Sequence, residues 1–106
     1  MTTYTGDRTI DGVQVRADGQ PLPERTDVRA YSANGFEWSY EGPEPRQLAL
    51  ALLLHHLGDS DRALALVEPL MTAVVANFDN EWEMDSADVE AAVAALGHSG
   101  ARPGAR

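Results

Sequence analysis

Cysteine and lysine are both absent from this sequence. Without cysteine there is no disulfide and no thiolate metal site, which removes disulfide-stapled secreted scaffolds and zinc fingers and makes a reducing, cytoplasmic compartment the expectation. Long hydrophobic runs are missing too. The longest, Leu48 to Leu54, falls far short of the roughly 18 apolar residues a membrane span requires. The opening segment, Met1 to Gly12, has neither the basic region nor the apolar region of a signal peptide. Phosphate-binding glycine loops, the GxSxG elbow and the HExxH motif do not occur. The patterns with the firmest catalytic or cofactor-binding mechanism are therefore lacking, and neither a cofactor nor a metal is expected.

Positive charge is scarce. Eight basic residues, all arginine, stand against seventeen acidic ones, for a net charge of -9 in 106 residues. Binding to nucleic acid or to an anionic membrane draws its affinity from a basic patch that releases counterions. This balance points away from both and toward a protein partner, with the chain itself a monomer or weak homodimer. A salt-rich cytoplasm would favour the same acidic surface. The charge is also uneven: residues 63–101 hold Glu68, Asp79, Glu81, Glu83, Asp85, Asp88 and Glu90 and no arginine.

The length fits one domain, assigned here to residues 1–97. The remainder, residues 98–106, reads HSGARPGAR; with no large apolar side chain it cannot offset its ordering entropy, and disorder is expected. The domain reads as α+β, an N-terminal antiparallel meander of four to five strands followed by three helices packed on one face. Asp11-Gly12, Asp18-Gly19 and Asn34-Gly35 are hairpin turn signals. They delimit strands at about 3–10, 13–17, 20–22, 28–33 and 36–40, with Phe36, Trp38 and Tyr40 sharing one face of the last. Pro21 and Pro23 demote the third to an edge or loop.

From Pro45 the hydrophobic period lengthens to that of a helix ending before Gly58, apolar almost all round and so expected to be central and buried. A second helix spans about Ser60 to Phe78 with Pro69 inside it. A third begins at Asp85, with Met84 and Val89 as its staple and Asp88 in its first turn, and ends at Gly97.

Three groups of side chains are candidates for chemistry. His55, His56 and Asp59 could hold a metal, but adjacent helical residues point about 100° apart, so imidazoles at a helix C-terminus, where the dipole favours positive charge, are the expectation. Arg8, Glu37, Glu41 and Arg46 could divide acid and base roles; solvated salt bridges fit them better. The aromatic residues Phe36, Trp38 and Tyr40 read as core, because base stacking would require interleaved basic residues.

The run Gly35-Phe36-Glu37-Trp38-Ser39-Tyr40 followed by Gly42-Pro43-Glu44-Pro45-Arg46-Gln47-Leu48-Ala49-Leu50-Ala51 resembles a domain-of-unknown-function family of small proteins from bacteria, archaea, plasmids and phages. Its members pair Gly-Phe-x-Trp-Gly-Tyr with Gly-x-x-Pro-x-Gln-Leu-Ala-Leu-Ala. Tyr4-x-Gly6-x-Arg8 and Trp82-x-Met84 match the family's other elements. Ser39 departs from the usual glycine, and Pro43-Glu44 from the usual small residues. The resemblance implies a binding site, if the fold has one, at the strand-to-helix junction, from Arg8, Glu37, Trp38, Tyr40 and Gln47. A non-enzymatic interaction module is the leading expectation. A nucleic-acid mimic, or a small enzyme using Arg8, Glu37 and His55, are its rivals.

Overall fold

Two Asp-Gly dipeptides shape the N-terminal part of the sheet. Asp18 (φ 53°) and Gly19 (φ 81°) are both left-handed, the combination a type I′ turn needs. They join β2 (Gly12–Ala17) to the two-residue β3 (Gln20–Pro21). Between β1 (Thr3–Thr9) and β2 the turn residues are instead Ile10 and Asp11. There the Thr9 hydroxyl donates to the Gly12 carbonyl (2.8 Å) and accepts from the Asp11 N–H (3.1 Å).

The computed structural model describes residues 1–101, the last four through their helical backbone alone; of the tail expected to be disordered, residues 98–101 continue the third helix, and residues 102–106 lie outside the described residues. The fold is α+β, a four-stranded antiparallel sheet in the order β3-β2-β1-β4 with three helices. Its fourth strand, β4 (Trp82–Asp85), enters from between the second and third helices.

The segments expected as strands at 28–33 and 36–40 are not strands; residues 22–42 form one irregular excursion. Side chains from Gln47 and Arg8, with isolated backbone bonds such as Leu22 N–H to the Val15 carbonyl and Ser39 N–H to the Val75 carbonyl, meet part of its backbone in place of a ladder. Asn34-Gly35 accordingly closes no hairpin, although Gly35 is left-handed (φ 82°). Phe36 and Trp38 are buried as expected, whereas Tyr40 is 44% exposed.

The first helix, α1 (Pro43–Leu57), starts two residues earlier than expected and ends at Gly58 (φ 71°), whose N–H reaches the Leu54 carbonyl at 2.9 Å. No residue from Leu48 to Leu53 is more than 1% exposed, as a helix apolar on every side must be. Asp59 caps α2 (Ser60–Ala73), accepting from the N–H groups of Asp61 (3.0 Å) and Arg62 (3.3 Å). The helix passes through Pro69 and tightens into a 3-10 turn, Val75–Asn77.

Ahead of α3 (Ser86–Ala101), Asp85 accepts from the Asp88 N–H (2.8 Å) and Asp88 accepts from the Asp85 N–H (3.1 Å), a reciprocal capping box. This helix continues beyond Gly97, which stays out of the left-handed conformation that would stop it. Tyr4, Gly6, Val15, Ala17 and Trp82 line the covered face of the sheet. Asp7, Gln14, Arg16 and Glu83 alternate onto the open face and are exposed.

Candidate interaction site

Arg8 lies near the end of β1, past the last residue paired with β4, and on the covered side of the sheet. Its guanidinium lies over the Trp38 ring, the central carbon 4.8 Å from the ring centroid. Nε and Nη2 donate to Glu37 Oε1 (3.1 and 2.8 Å), Nη2 also to the Trp38 carbonyl (2.7 Å) and Ser39 Oγ (3.3 Å), and Nη1 to Asn80 Oδ1 (2.5 Å). One planar cation thereby ties β1, residues 37–39 and residue 80 together, the rigid multidentate use to which arginine is suited.

Trp38 is fully buried. Its Nε1 donates to the Asp79 carbonyl (2.7 Å), and its ring meets Trp82 edge-on at 5.9 Å. Phe78 stacks on Trp82, 4.3 Å between centroids. Trp82 in turn lies across β1 at Gly6, where a Cβ would stand 2.2 Å from its Nε1. Glycine at this strand position is required by that close approach. Trp82 Nε1 is buried without a hydrogen-bond partner among the described residues.

Ser39 adopts φ 79°, a conformation costing a non-glycine residue roughly 1–2 kcal/mol. It is held by its own N–H to the Val75 carbonyl (3.2 Å) and its hydroxyl to the Phe78 carbonyl (2.5 Å). A glycine would fit this backbone without strain.

The five residues expected at the junction divide into three places. Arg8, Glu37 and Trp38 form the clamp just described. Tyr40 stands beside it, its hydroxyl donating to Glu44 Oε1 at 2.8 Å. Partial burial, the Glu44 bond and the neighbouring carboxylates push the phenol up to about 12. The same bond holds the Glu44 carboxyl below its ordinary value.

Gln47 is elsewhere, fully buried under the excursion. Its amide nitrogen donates to the carbonyls of Glu24 (2.7 Å) and Arg29 (3.0 Å), and its oxygen accepts from the N–H groups of Tyr31 (2.7 Å) and Ser32 (3.1 Å). All its hydrogen-bonding capacity serves the loop.

The histidines also separate. His55 Nδ1 pairs with the Tyr4 hydroxyl (2.8 Å), His56 Nε2 with Glu90 (2.7 Å), and Asp59 is engaged in capping α2. Among the described residues no group of three or more His, Cys, Asp or Glu is arranged to hold a metal. Burial and the Asp18 charge raise the Tyr4 phenol above its ordinary value.

Among the acidic residues after residue 62, those with neither an ion-pair partner nor a capping role among the described residues lie in and just before β4. Glu68 pairs with Arg46 (2.7 Å), Glu90 with His56, and Asp85 and Asp88 cap each other's backbone. Asp79, Glu81 and Glu83 are left, all exposed, with Asp7 of β1 nearby. A shallow open depression of about 310 Å³ is lined by Thr5, Gly6, Asp7, Glu81, Trp82 and Glu83.

From the sequence, Gly6 and Trp82 are met only as motif elements, and Asn80 and Phe78 are passed over as partners of the clamp. The available signal was the joint presence of Gly6, Arg8 and Trp82, three residues whose chemistry requires one another across the chain.

Residues 4–95 match the model of a family of unknown function, DUF6166. No curated protein and no solved structure matches the chain. The match covers both the sheet and the three helices, and the chain belongs to the DUF6166 family.

Proposed function

We propose that the chain is a non-enzymatic protein-interaction module that engages a basic partner through the acidic margin of its sheet. The observation carrying this reading is the arrangement of Asp7, Asp79, Glu81 and Glu83, exposed carboxylates that form no ion pair among the described residues, although Arg16 of β2 shares the open face two strands from the margin. Like charges gathered without compensation repel one another, and a cationic partner relieves that repulsion while steering association. The groups first suspected of chemistry support the same reading, since Arg8 and Gln47 direct their polar atoms at the protein itself.

A nucleic-acid mimic needs an extended file of uncompensated charge. Glu68 is neutralised by Arg46, and the remaining carboxylates from Asp79 to Glu90 are confined to the four-residue β4, the residues just before it and the start of α3, a span short enough for a peptide segment and small for a duplex groove.

The test compares the native chain with a variant carrying Asp7→Asn, Asp79→Asn, Glu81→Gln and Glu83→Gln. A partner retained from host extract by the native chain and released by the variant supports the reading. Equal retention by both, or small-molecule turnover abolished by Glu37→Gln, overturns it.

A further inference from the structure

The acidic margin is also a sheet edge, and its register fixes which backbone groups are unpaired among the described residues. Ser86 N–H donates to the Thr2 carbonyl at 2.8 Å. In an antiparallel pair, hydrogen-bonded and non-hydrogen-bonded residue pairs alternate. Counting from Ser86 and Thr2 along the register, Met84 with Tyr4 and Trp82 with Gly6 exchange backbone bonds, while Glu83 opposite Thr5 does not. The N–H and C=O of Glu83 therefore point outward, on the side where the strand order ends. The next outward N–H, that of Asp85, is already taken by Asp88.

We propose that the outer edge of β4 receives an extended basic segment of a partner protein as a fifth strand, anchored on the Glu83 N–H and C=O. This rests on the interaction reading above and specifies its mode. In an added strand alternate side chains fall on one face. Those on the open face meet Glu81, Glu83 and, across the sheet, Asp7; the intervening ones lie on the side of Met84 and Trp82. The segment therefore alternates basic with apolar residues.

Charge selects this occupant over a second copy of the chain. Two β4 edges paired antiparallel about Glu83 would set carboxylate against carboxylate, and like charges directly opposed destabilise a pair. A basic strand places its cations against the same groups.

The probe is a synthetic peptide of about ten residues alternating arginine and valine, enough to span the edge. It is compared with the same peptide N-methylated on alternate amides, in both phases, and with a block peptide of identical composition. Binding is read by calorimetry at two salt concentrations and by amide NMR of the intact chain. Strand addition predicts about tenfold weaker binding for one N-methyl phase only and for the block peptide. It also predicts that bound peptide slows exchange of the Glu83 amide by about tenfold or more.

Equal, salt-sensitive binding of all four peptides, with the Glu83 amide unchanged, overturns strand addition and leaves acidic docking standing. Salt-insensitive binding, or none, overturns both. Glu83→Pro, which removes the N–H, should abolish phase discrimination if it folds; the N-methyl comparison uses the native chain and decides the matter if it does not.

Discussion

Replacing Gln47 by alanine deletes four hydrogen bonds at once and leaves the carbonyls of Glu24 and Arg29 and the N–H groups of Tyr31 and Ser32 without partners. A buried polar group left unpaired costs roughly 1–3 kcal/mol. The Ser32 bond is buried while the other three are partly buried, so water recovers part of the loss and the expected net is about 3–5 kcal/mol. Against a total stability of about 5–15 kcal/mol for a domain, that is a large fraction.

Gln47→Glu provides the sharper control. A carboxylate still accepts from Tyr31 and Ser32 but faces two carbonyl oxygens where the amide donated. Burial and those oxygens favour its protonated form and raise its folded-state pKa above the unfolded value of about 4.3. The variant is therefore expected to lose stability progressively as pH rises above about 4 and to recover toward the alanine value or better below it. Urea denaturation at pH 4 and pH 7 measures this, and limited trypsin digestion at Arg25 and Arg29 reports locally on the excursion. A cost below about 1 kcal/mol for Gln47→Ala, or a pH-independent Gln47→Glu, would refute the assignment of Gln47 as the loop's anchor.

Three further predictions follow from the clamp and its neighbours. Gly6→Ala, whose Cβ would collide with the Trp82 indole at 2.2 Å, is expected to cost about 1–3 kcal/mol. Combined with Trp82→Phe it should cost measurably less than the sum of the two single changes, a coupling that a double-mutant cycle by thermal melting detects. At Ser39 (φ 79°), Gly relieves backbone strain as it removes the hydroxyl bond, whereas Ala keeps the strain. Ser39→Gly should thus lie within about 1 kcal/mol of native and Ser39→Ala about 1–2 kcal/mol below it; the reverse order in equilibrium unfolding would be inconsistent with the backbone described. Tyr40, raised to about 12, contributes stability that is complete below its unfolded value of about 10. That contribution disappears as pH climbs through the folded value, so in Tyr40→Phe the latest step of the ultraviolet phenolate titration should vanish.

Much of the architecture was legible wherever local chemistry decided it. Asp18-Gly19 dictated a tight hairpin, Gly58 stopped α1, the leucines of α1 announced a helix buried on all sides, and Asp85 with Asp88 announced the start of α3. The excursion was misread because Phe36, Trp38 and Tyr40 alternate as a strand would. Their spacing reflects two inward residues of an irregular loop whose backbone is met by Gln47, by Arg8 and by isolated backbone bonds, with no strand ladder along residues 28–40. Strand β4 was hidden for the complementary reason. Glu83 and Asp85 have little strand preference, and the pairing of Trp82 with Gly6 is set by the fit of an indole over a missing side chain, far apart in sequence.

The candidate site followed the same division. Arg8, Glu37 and Trp38 do converge, as the motif suggested, while Gln47 and the two histidines serve separate parts of the fold. The acidic bias after residue 62 was visible from composition. Its concentration beside an open strand edge depends on which acidic residues are already paired or capping, and no single stretch of sequence contains that.

Amide hydrogen exchange across β4 in the free protein tests the interaction account most directly. An open edge predicts slow exchange at Trp82 and Met84, whose N–H groups face β1, and exchange at Glu83 faster by orders of magnitude, near that of an exposed loop. Protection of Glu83 equal to that of Met84 would mean the edge is already covered, and would contradict the account.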